Sequence, residues 1–297
     1  MPHRLISLLI ATIVVVSCGT TDSAATINGS DILTTDLEQT ITDFVTIGEA
    51  ASTNGVVDAE TVRSLLTSLI RAEATNQVIA AAGEEVTDED LASVREQLAE
   101  QGTEDLPESL RELIVQLNAA QAVLGRVKAP SPQDIAERYN SNPKSLGMLC
   151  VSHLVVDDES TAKTARAELD DKPTDAQFAE VAGKYSIEPN AKESGGALTG
   201  QSGTCISINE WQAGFDPDFV AGALAARTGI PTQPVKSSFG WHVIFIRPFT
   251  AVSESVSANI TSAPGEYLLL GALADADISV ASRYGRWDPL AGTVVAP

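Results

Sequence analysis

Two of the chain's three histidines sit inside short, strongly apolar runs, His153 in "CVSHLVV" and His242 in "FGWHVIFI". Both runs are rich in β-branched and aromatic residues and too short for helices, so they read as buried strands. A polar ring in a buried strand needs a hydrogen-bond partner, because leaving it unpaired costs about 1–3 kcal/mol. Ser152, Ser237 and Ser238 are the candidate hydroxyl partners nearby in sequence. A fold that accepts this sequence has to give each of these buried rings a partner.

What lies between the strands sets the class. "STAKTARAEL" reads as a helix capped at Ser160, and "PTDAQFAEVAGKYS" as a second capped at Thr174. A Gly-rich loop, "IEPNAKESGGALTGQSGTC", precedes a further helix, "PDFVAGALAA". Local helices around two apolar strands indicate an α+β domain, here over residues 147–249, long enough to hold its own core.

The first half has a different character. "ATINGSDIL" reads as a short strand turned at Asn28-Gly29, followed by a helix capped at Thr35 with Glu38 at capping-box spacing. Val62, Leu65, Leu66, Leu69, Ala72 and Ala74 fall on one helical face, and Gly83 ends that helix. Thr87 caps a third helix whose first turn carries Asp88, Glu89 and Asp90, where the helix dipole favours acids. Pro107 marks the start of a fourth, and Ser131-Pro132 the cap and first residue of a fifth. Residues 18–146 therefore form a mostly helical region behind a short polar tether.

The N-terminus gives an address. His3 and Arg4 precede the apolar run Leu5 to Val16, which is too short to span a bilayer. Val15, Val16 and Ser17 before Cys18 resemble the lipobox of bacterial lipoproteins, which implies a signal peptide over 1–17 and lipidation of Cys18. The alternative is an ordinary secretory signal with an incidental cysteine. Both readings export the chain from the cytoplasm, and the lipobox reading makes it a bacterial cell-membrane lipoprotein. Cys150 and Cys205 then remain, either as a disulfide suited to an oxidising compartment or as two separate thiols. A net charge of −21 excludes nucleic acid as a partner, since nothing here neutralises a run of phosphates.

The order of "SHLVV", "FAEVAGKYS", "GGAL" and "PVKSSFGWHVI" resembles the parvulin family of peptidyl-prolyl isomerases across residues 147–249. The "TINGSDILTTDL" opening and the helices behind it resemble the N-terminal chaperone domain of SurA- and PrsA-type foldases. The resemblance implies a fold of helical chaperone-like domain followed by a parvulin domain, a small antiparallel sheet with surrounding helices. It implies that His153 and His242 lie together beneath a proline pocket and that Glu188, in Tyr185-Ser186-Ile187-Glu188-Pro189, sits beside the isomerising carbonyl. Leu198 would line the pocket, Phe219 would form its aromatic floor, Phe215 would replace a family methionine in its wall, and Ser237 would join the substrate-binding set. It also implies that residues 250–297 return to complete the N-terminal module, with Ile27 pairing near Ile278 to Val280.

Three departures from the family pattern stand out. Glu occupies 188 where Asp or Cys is common, "GGALTGQ" replaces "GGDLGW", and an insertion over roughly 200–213 carries Cys205 and Trp211. A Cys150–Cys205 bridge would tie that insertion to the first strand. The loop "DDEST" after that strand, with Asp157, Asp158 and Glu159, would repel the phosphate that some parvulins bind. Cys150, His153, Cys205 and His242 fit zinc by ligand type, but residues three apart on a strand face opposite sides, which sets Cys150 against His153. No metal or cofactor is expected.

The expected function is a lipid-anchored foldase that isomerises X-Pro bonds in exported, unfolded polypeptides and also chaperones them. The alternative is a holdase chaperone whose parvulin domain is inactive.

Overall fold

The structure, a computed structural model, describes residues 22–297. The signal peptide and Cys18 lie outside the described residues. The chain opens with a hairpin, β1 (Ser23–Ile27) and β2 (Ser30–Leu33), turned at Asn28 and Gly29. Both turn residues have positive φ, 51° and 86°, the twist that a two-residue antiparallel turn demands and that Asn-Gly supplies most readily.

Helix α1 (Thr34–Thr46) follows directly, then the small hairpin β3 (Ser52–Thr53) and β4 (Val56–Val57). Thr35 does not cap α1. The backbone is held in the sheet up to the Thr34 N–H, which bonds the Asp22 carbonyl at 2.9 Å, so the helix starts with no free residue ahead of it. Helix α2 (Ala59–Ala81) is capped by Asp58, and α3 (Asp88–Glu100) by a Thr87–Asp90 capping box. Helix α4 (Glu108–Leu124) begins after Pro107, and α5 (Pro132–Ser141) is capped by Ser131.

A 3-10 turn (Pro143–Leu146) leads into β5 (Met148–Leu149) and β6 (Val151–Val156). Helix α6 (Glu159–Ala167) is capped by Asp158, not by Ser160 as the sequence suggests. The Asp158 carboxylate accepts both the Thr161 N–H and the Ser160 hydroxyl, so the stronger acceptor takes the cap. Helix α7 (Asp175–Tyr185) carries the Thr174–Gln177 capping box, and the one-turn α8 (Ala191–Ser194) precedes the Gly-rich loop.

The insertion is ordered into β7 (Ile206–Ser207) and α9 (Ile208–Gly214), with α10 (Pro217–Ala225), β8 (Val235–Ser237) and β9 (Gly240–Ile246) behind it. The chain closes with α11 (Phe249–Ser262), α12 (Pro264–Asp275), β10 (Ile278–Val280), β11 (Arg286–Asp288) and β12 (Thr293–Val295).

Two features position the site. The first is the antiparallel sheet β6-β9-β8, in which His153 faces Ile244 and Val155 faces His242 across the strands. Side chains alternate: Leu154, Val156, Val243 and Phe245 pack against α6 and α7 on one face, around Phe178 stacked on Phe245 at 4.8 Å. Val151, Ile244 and Ile246 belong to the core on the other face, toward α10. His153 and His242 share that second face, one diagonal step apart.

The second is the return of the tail. Strand β10 adds to β1, with Ile27 opposite Ile278 and Ala25 opposite Val280, giving a three-stranded sheet ordered β10-β1-β2. That sheet shares a core with α2 and α12 through Leu66, Ile70 and Leu273.

Candidate functional site

Each element contributes a few side chains to one cleft of about 420 Å³. Strand β6 brings His153 and Val155, and β9 brings His242. The segment after α7 supplies Ile187, Glu188 and Pro189, the Gly-rich loop supplies Leu198, and the α9–α10 region supplies Gly214, Phe215, Asp216 and Phe219. Phe239, in the β8–β9 turn, overhangs the mouth and is 73% exposed. The structure thus gathers six expected residues, His153, Glu188, Leu198, Phe215, Phe219 and His242, in one place.

Local backbone explains why they meet. The Gly-rich loop runs along the free edge of β6: the His153 N–H bonds the Gly196 carbonyl at 2.8 Å, and the Leu198 N–H bonds the Val151 carbonyl at 2.9 Å. Gly196 has a φ of 75°, and a Cβ there would lie 2.1 Å from the His153 carbonyl oxygen, so only glycine lets the loop approach and present Leu198. Helix α10 starts at Asp216-Pro217, with the Asp216 carboxylate accepting the N–H groups of Asp218 and Phe219. Gly222 lets that helix close on the sheet, since a Cβ would sit 2.9 Å from Ile244.

The floor is aromatic and edge-on. Phe219 is buried, with its ring 5.2 Å from His153 and 4.9 Å from His242, both T-shaped. Behind it, Trp211 packs on Phe215 at 4.2 Å and on Phe219 at 5.9 Å. Trp211 belongs to the insertion, which therefore backs the cleft and does not fill it. The structure joins Cys150 to Cys205 in a disulfide, and both residues are fully buried. The Asn259 side chain donates to the Cys205 carbonyl, and Gln212 to the Pro289 carbonyl, fastening the insertion to α11 and to the tail.

A polar chain runs through the buried base of the cleft. His153 Nδ1 and His242 Nδ1 are 3.1 Å apart, and His242 Nε2 lies 2.7 Å from the Ser237 hydroxyl. The Phe239 N–H donates to that same hydroxyl oxygen at 3.0 Å. At the other end His153 Nε2 is 3.1 Å from a Glu188 carboxylate oxygen, off the line of a good hydrogen bond.

With both rings neutral, one assignment of protons gives the carboxylate a donor. The Ser237 hydroxyl donates to His242 Nε2, His242 Nδ1–H donates to His153 Nδ1, and His153 Nε2–H then faces Glu188. The opposite tautomers would set a bare ring nitrogen against a carboxylate. In agreement, the contact with His153 holds the Glu188 carboxyl below its usual range. Burial, reinforced by the neighbouring imidazole, pushes His242 down to about 4, so it is neutral near pH 7.

Ser237 is a correction. Expected among the substrate-binding residues, it is buried behind the cleft, where its hydroxyl is committed to His242 and to the Phe239 N–H. Asp216 and Phe239 were not singled out from the sequence. Asp216 was legible as a cap, because "FDPDF" places an acid just before a proline that opens a helix. Phe239 had no local signal, since an aromatic in a strand turn reads as core. Among the described residues no group of three or more His, Cys, Asp or Glu is placed to hold a metal ion.

Residues 156–247 match the family described as Rotamase: PPIC-type PPIASE domain. The match includes His242, Glu188 and the three cleft residues Leu198, Phe215 and Phe219, and begins three residues after His153. Foldase protein PrsA of Clostridium kluyveri is 32% identical over 142 residues, covering 44% of this chain and 39% of that one. Foldase protein PrsA of Clostridium botulinum is 31% identical over 169 residues, 53% of this chain and 47% of that one. The chain thus spans less than half the length of these curated relatives. The crystal structure of PrsA from Bacillus subtilis is 17% identical, covers 88% of this chain and 95% of that one, and superposes with a TM-score of 0.29. The chain thus resembles the PPIC-type parvulin family over residues 156–247, and foldase protein PrsA over about half of its length.

Proposed function

We propose that this chain is an extracytoplasmic, lipid-anchored foldase that catalyses cis/trans isomerisation of X-Pro bonds in exported polypeptides and holds unfolded segments in its helical region. The observation that carries the catalytic part is the open apolar cleft, floored by Phe219 lying edge-on over the paired imidazoles of His153 and His242. The reaction makes and breaks no covalent bond. Its barrier, about 18–20 kcal/mol, is the loss of amide resonance on twisting the C–N bond.

A catalyst therefore needs to grip the proline ring and favour the twisted amide over either planar form. Leu198, Phe215 and Phe219 supply the grip. A carbonyl beside Glu188 meets a fixed negative charge, which disfavours the zwitterionic resonance form in which that oxygen carries negative charge. Loss of that form weakens the C–N double-bond character. Every 1.4 kcal/mol gained by the twisted state gives about tenfold in rate. The relay from the Phe239 N–H through Ser237, His242 and His153 holds Glu188 and the floor in place without exchanging protons with substrate.

The anchor rests on the basic start, the apolar run and Cys18. Metabolic labelling with palmitate tests it, with incorporation expected in the parent protein and lost in Cys18→Ser. The catalytic reading is tested by a protease-coupled isomerisation assay on X-Pro tetrapeptides, comparing the parent protein with Phe219→Ala. A rate above background that collapses in the variant supports the cleft as the isomerase site. A parent rate equal to background across the panel overturns that reading and leaves the holdase, whose activity is suppression of client aggregation.

A further inference from the structure

The charges at the cleft are all of one sign. Among its lining residues the only Asp, Glu, Lys or Arg are Glu188 and Asp216. Asp216 spends its carboxylate on N–H and hydroxyl donors, those of Asp218, Phe219 and Ser238, with no Lys or Arg among them. Glu188 meets only the His153 ring, and its side chain is 35% exposed. Among the described residues neither carboxylate has a lysine or arginine within ion-pair distance, although eight such contacts occur elsewhere among them.

The nearby cations are turned to other work. Lys192 packs against Gly183 of α7, and Lys236 lies over the Trp241 ring at 5.7 Å. Two residues beyond the cleft-lining Val155 begins the exposed acidic run Asp157, Asp158, Glu159. The hydrogen-bond donors around Asp216 and the imidazole beside Glu188 keep both carboxyls ionised at neutral pH. The chain as a whole carries −21, so the local field has no opposing background.

We propose that this cleft selects prolines flanked by lysine or arginine, with Glu188 and Asp216 as specificity-determining residues and with acidic or phosphorylated neighbours excluded. The inference rests on the isomerase reading and names its substrate class. The apolar walls take the proline ring whatever its neighbours are. The two rim carboxylates then act on the adjacent side chain, attracting a cation and repelling an anion. Discrimination comes from both halves of that difference, so it exceeds the contribution of either carboxylate alone.

The experiment uses three peptides identical except at the residue before proline, Lys, Ala or Glu, and three more varied at the residue after it. Isomerisation by the full protein is measured at low and high salt. Equilibrium binding of the same labelled peptides is followed by fluorescence anisotropy. Exposed charge pairs contribute modestly one by one, but attraction and repulsion act together here, so the Lys peptide is expected to exceed the Glu peptide by about fivefold to tenfold in kcat/KM at one of the two positions. In about 1 M salt, where the screening length is about 3 Å, the ratio is expected to fall toward unity.

Asp216→Asn keeps a cap for α10 and an acceptor for Ser238, so it removes charge while leaving the scaffold. The Lys-to-Glu ratio is expected to fall in this variant and in Glu188→Gln, whatever happens to the absolute rate. A Glu peptide handled as well as the Lys peptide at both positions overturns the proposal, as does a ratio indifferent to both substitutions. If no peptide, including the Ala reference, is isomerised, the catalytic reading fails by itself. The anisotropy ratio then decides the charge preference separately.

Discussion

Two of the clefts among the described residues contrast in their lining, and the larger has the less defined shape. A groove of about 770 Å³ lies between α2, α5 and α12, lined by small residues such as Ala81, Ala129 and Ala272 and by charges of both signs, among them Lys128, Asp134 and Arg138. The smaller cleft is floored and walled by Phe215 and Phe219 over a buried polar relay. Alanines and opposed surface charges offer width without a shape to match. Large rings locked by packing offer one ring-sized recess with fixed polar groups at its base. The smaller cleft is therefore expected to be the more discriminating, through the rigidity of its lining.

Phe219→Ala is the sharpest way to break that contrast. Truncating this buried ring is expected to cost about 3–5 kcal/mol of stability and to bring X-Pro isomerisation to background. Urea denaturation and the coupled assay read the two effects; a variant that keeps its rate would remove the floor from the mechanism. Next comes the double change Cys150→Ser with Cys205→Ser. It is expected to cost about 2–4 kcal/mol through the loop the bridge closes and to loosen the Trp211 backing of the cleft. A lowered urea midpoint with weakened proline-peptide binding is the expected pair of results.

The pH profile tests the relay. Folded His242 is held near 4 against 6.5 in the free side chain. Below 6.5 the unfolded chain takes up a proton that the folded one refuses until about 4, so stability falls as pH drops through that window. The full loss is on the order of 3 kcal/mol. Glu188, whose carboxyl is held below its usual range, adds a further loss as pH falls below its unfolded value of 4.5. Urea midpoints between pH 7 and 4 measure the slope, which is expected to shrink in His242→Gln; an unchanged slope would place the acid sensitivity elsewhere. The smallest effect belongs to the larger groove. Lys128→Glu, on its exposed rim, is expected to change stability by less than about 0.5 kcal/mol and to leave isomerisation unchanged, and a fallen rate would tie that groove to catalysis.

Much of this was legible where the signal is local. Asn28-Gly29 specifies its turn because few other residues accept two positive φ angles in succession. Thr87 and Thr174 form capping boxes because the acceptor three residues on is part of the same helical turn. Thr35 and Ser160 failed as caps for one reason. Which residue caps depends on where the preceding chain is pinned, by the Asp22 carbonyl in one case and by a competing Asp158 in the other. The site divides the same way. His153 and His242 announce themselves as polar residues in apolar strands and Ser237 as a hydroxyl close to one of them, whereas nothing in its local context places Phe239 at the lip of the cleft.

The sequence by itself determined the two buried strands of the site, most of the helices and the need of each imidazole for a partner, because burial and hydrogen-bond satisfaction act on residue type and spacing. The pairing of β10 with β1 was implied by the family resemblance, not by a local pattern. Tertiary structure alone decided that the insertion backs the cleft through Trp211. It also decided that Asp216 and Glu188 share one rim without a cation between them. Those are relations between segments far apart in the chain. They depend on how packed elements approach, which no local pattern encodes.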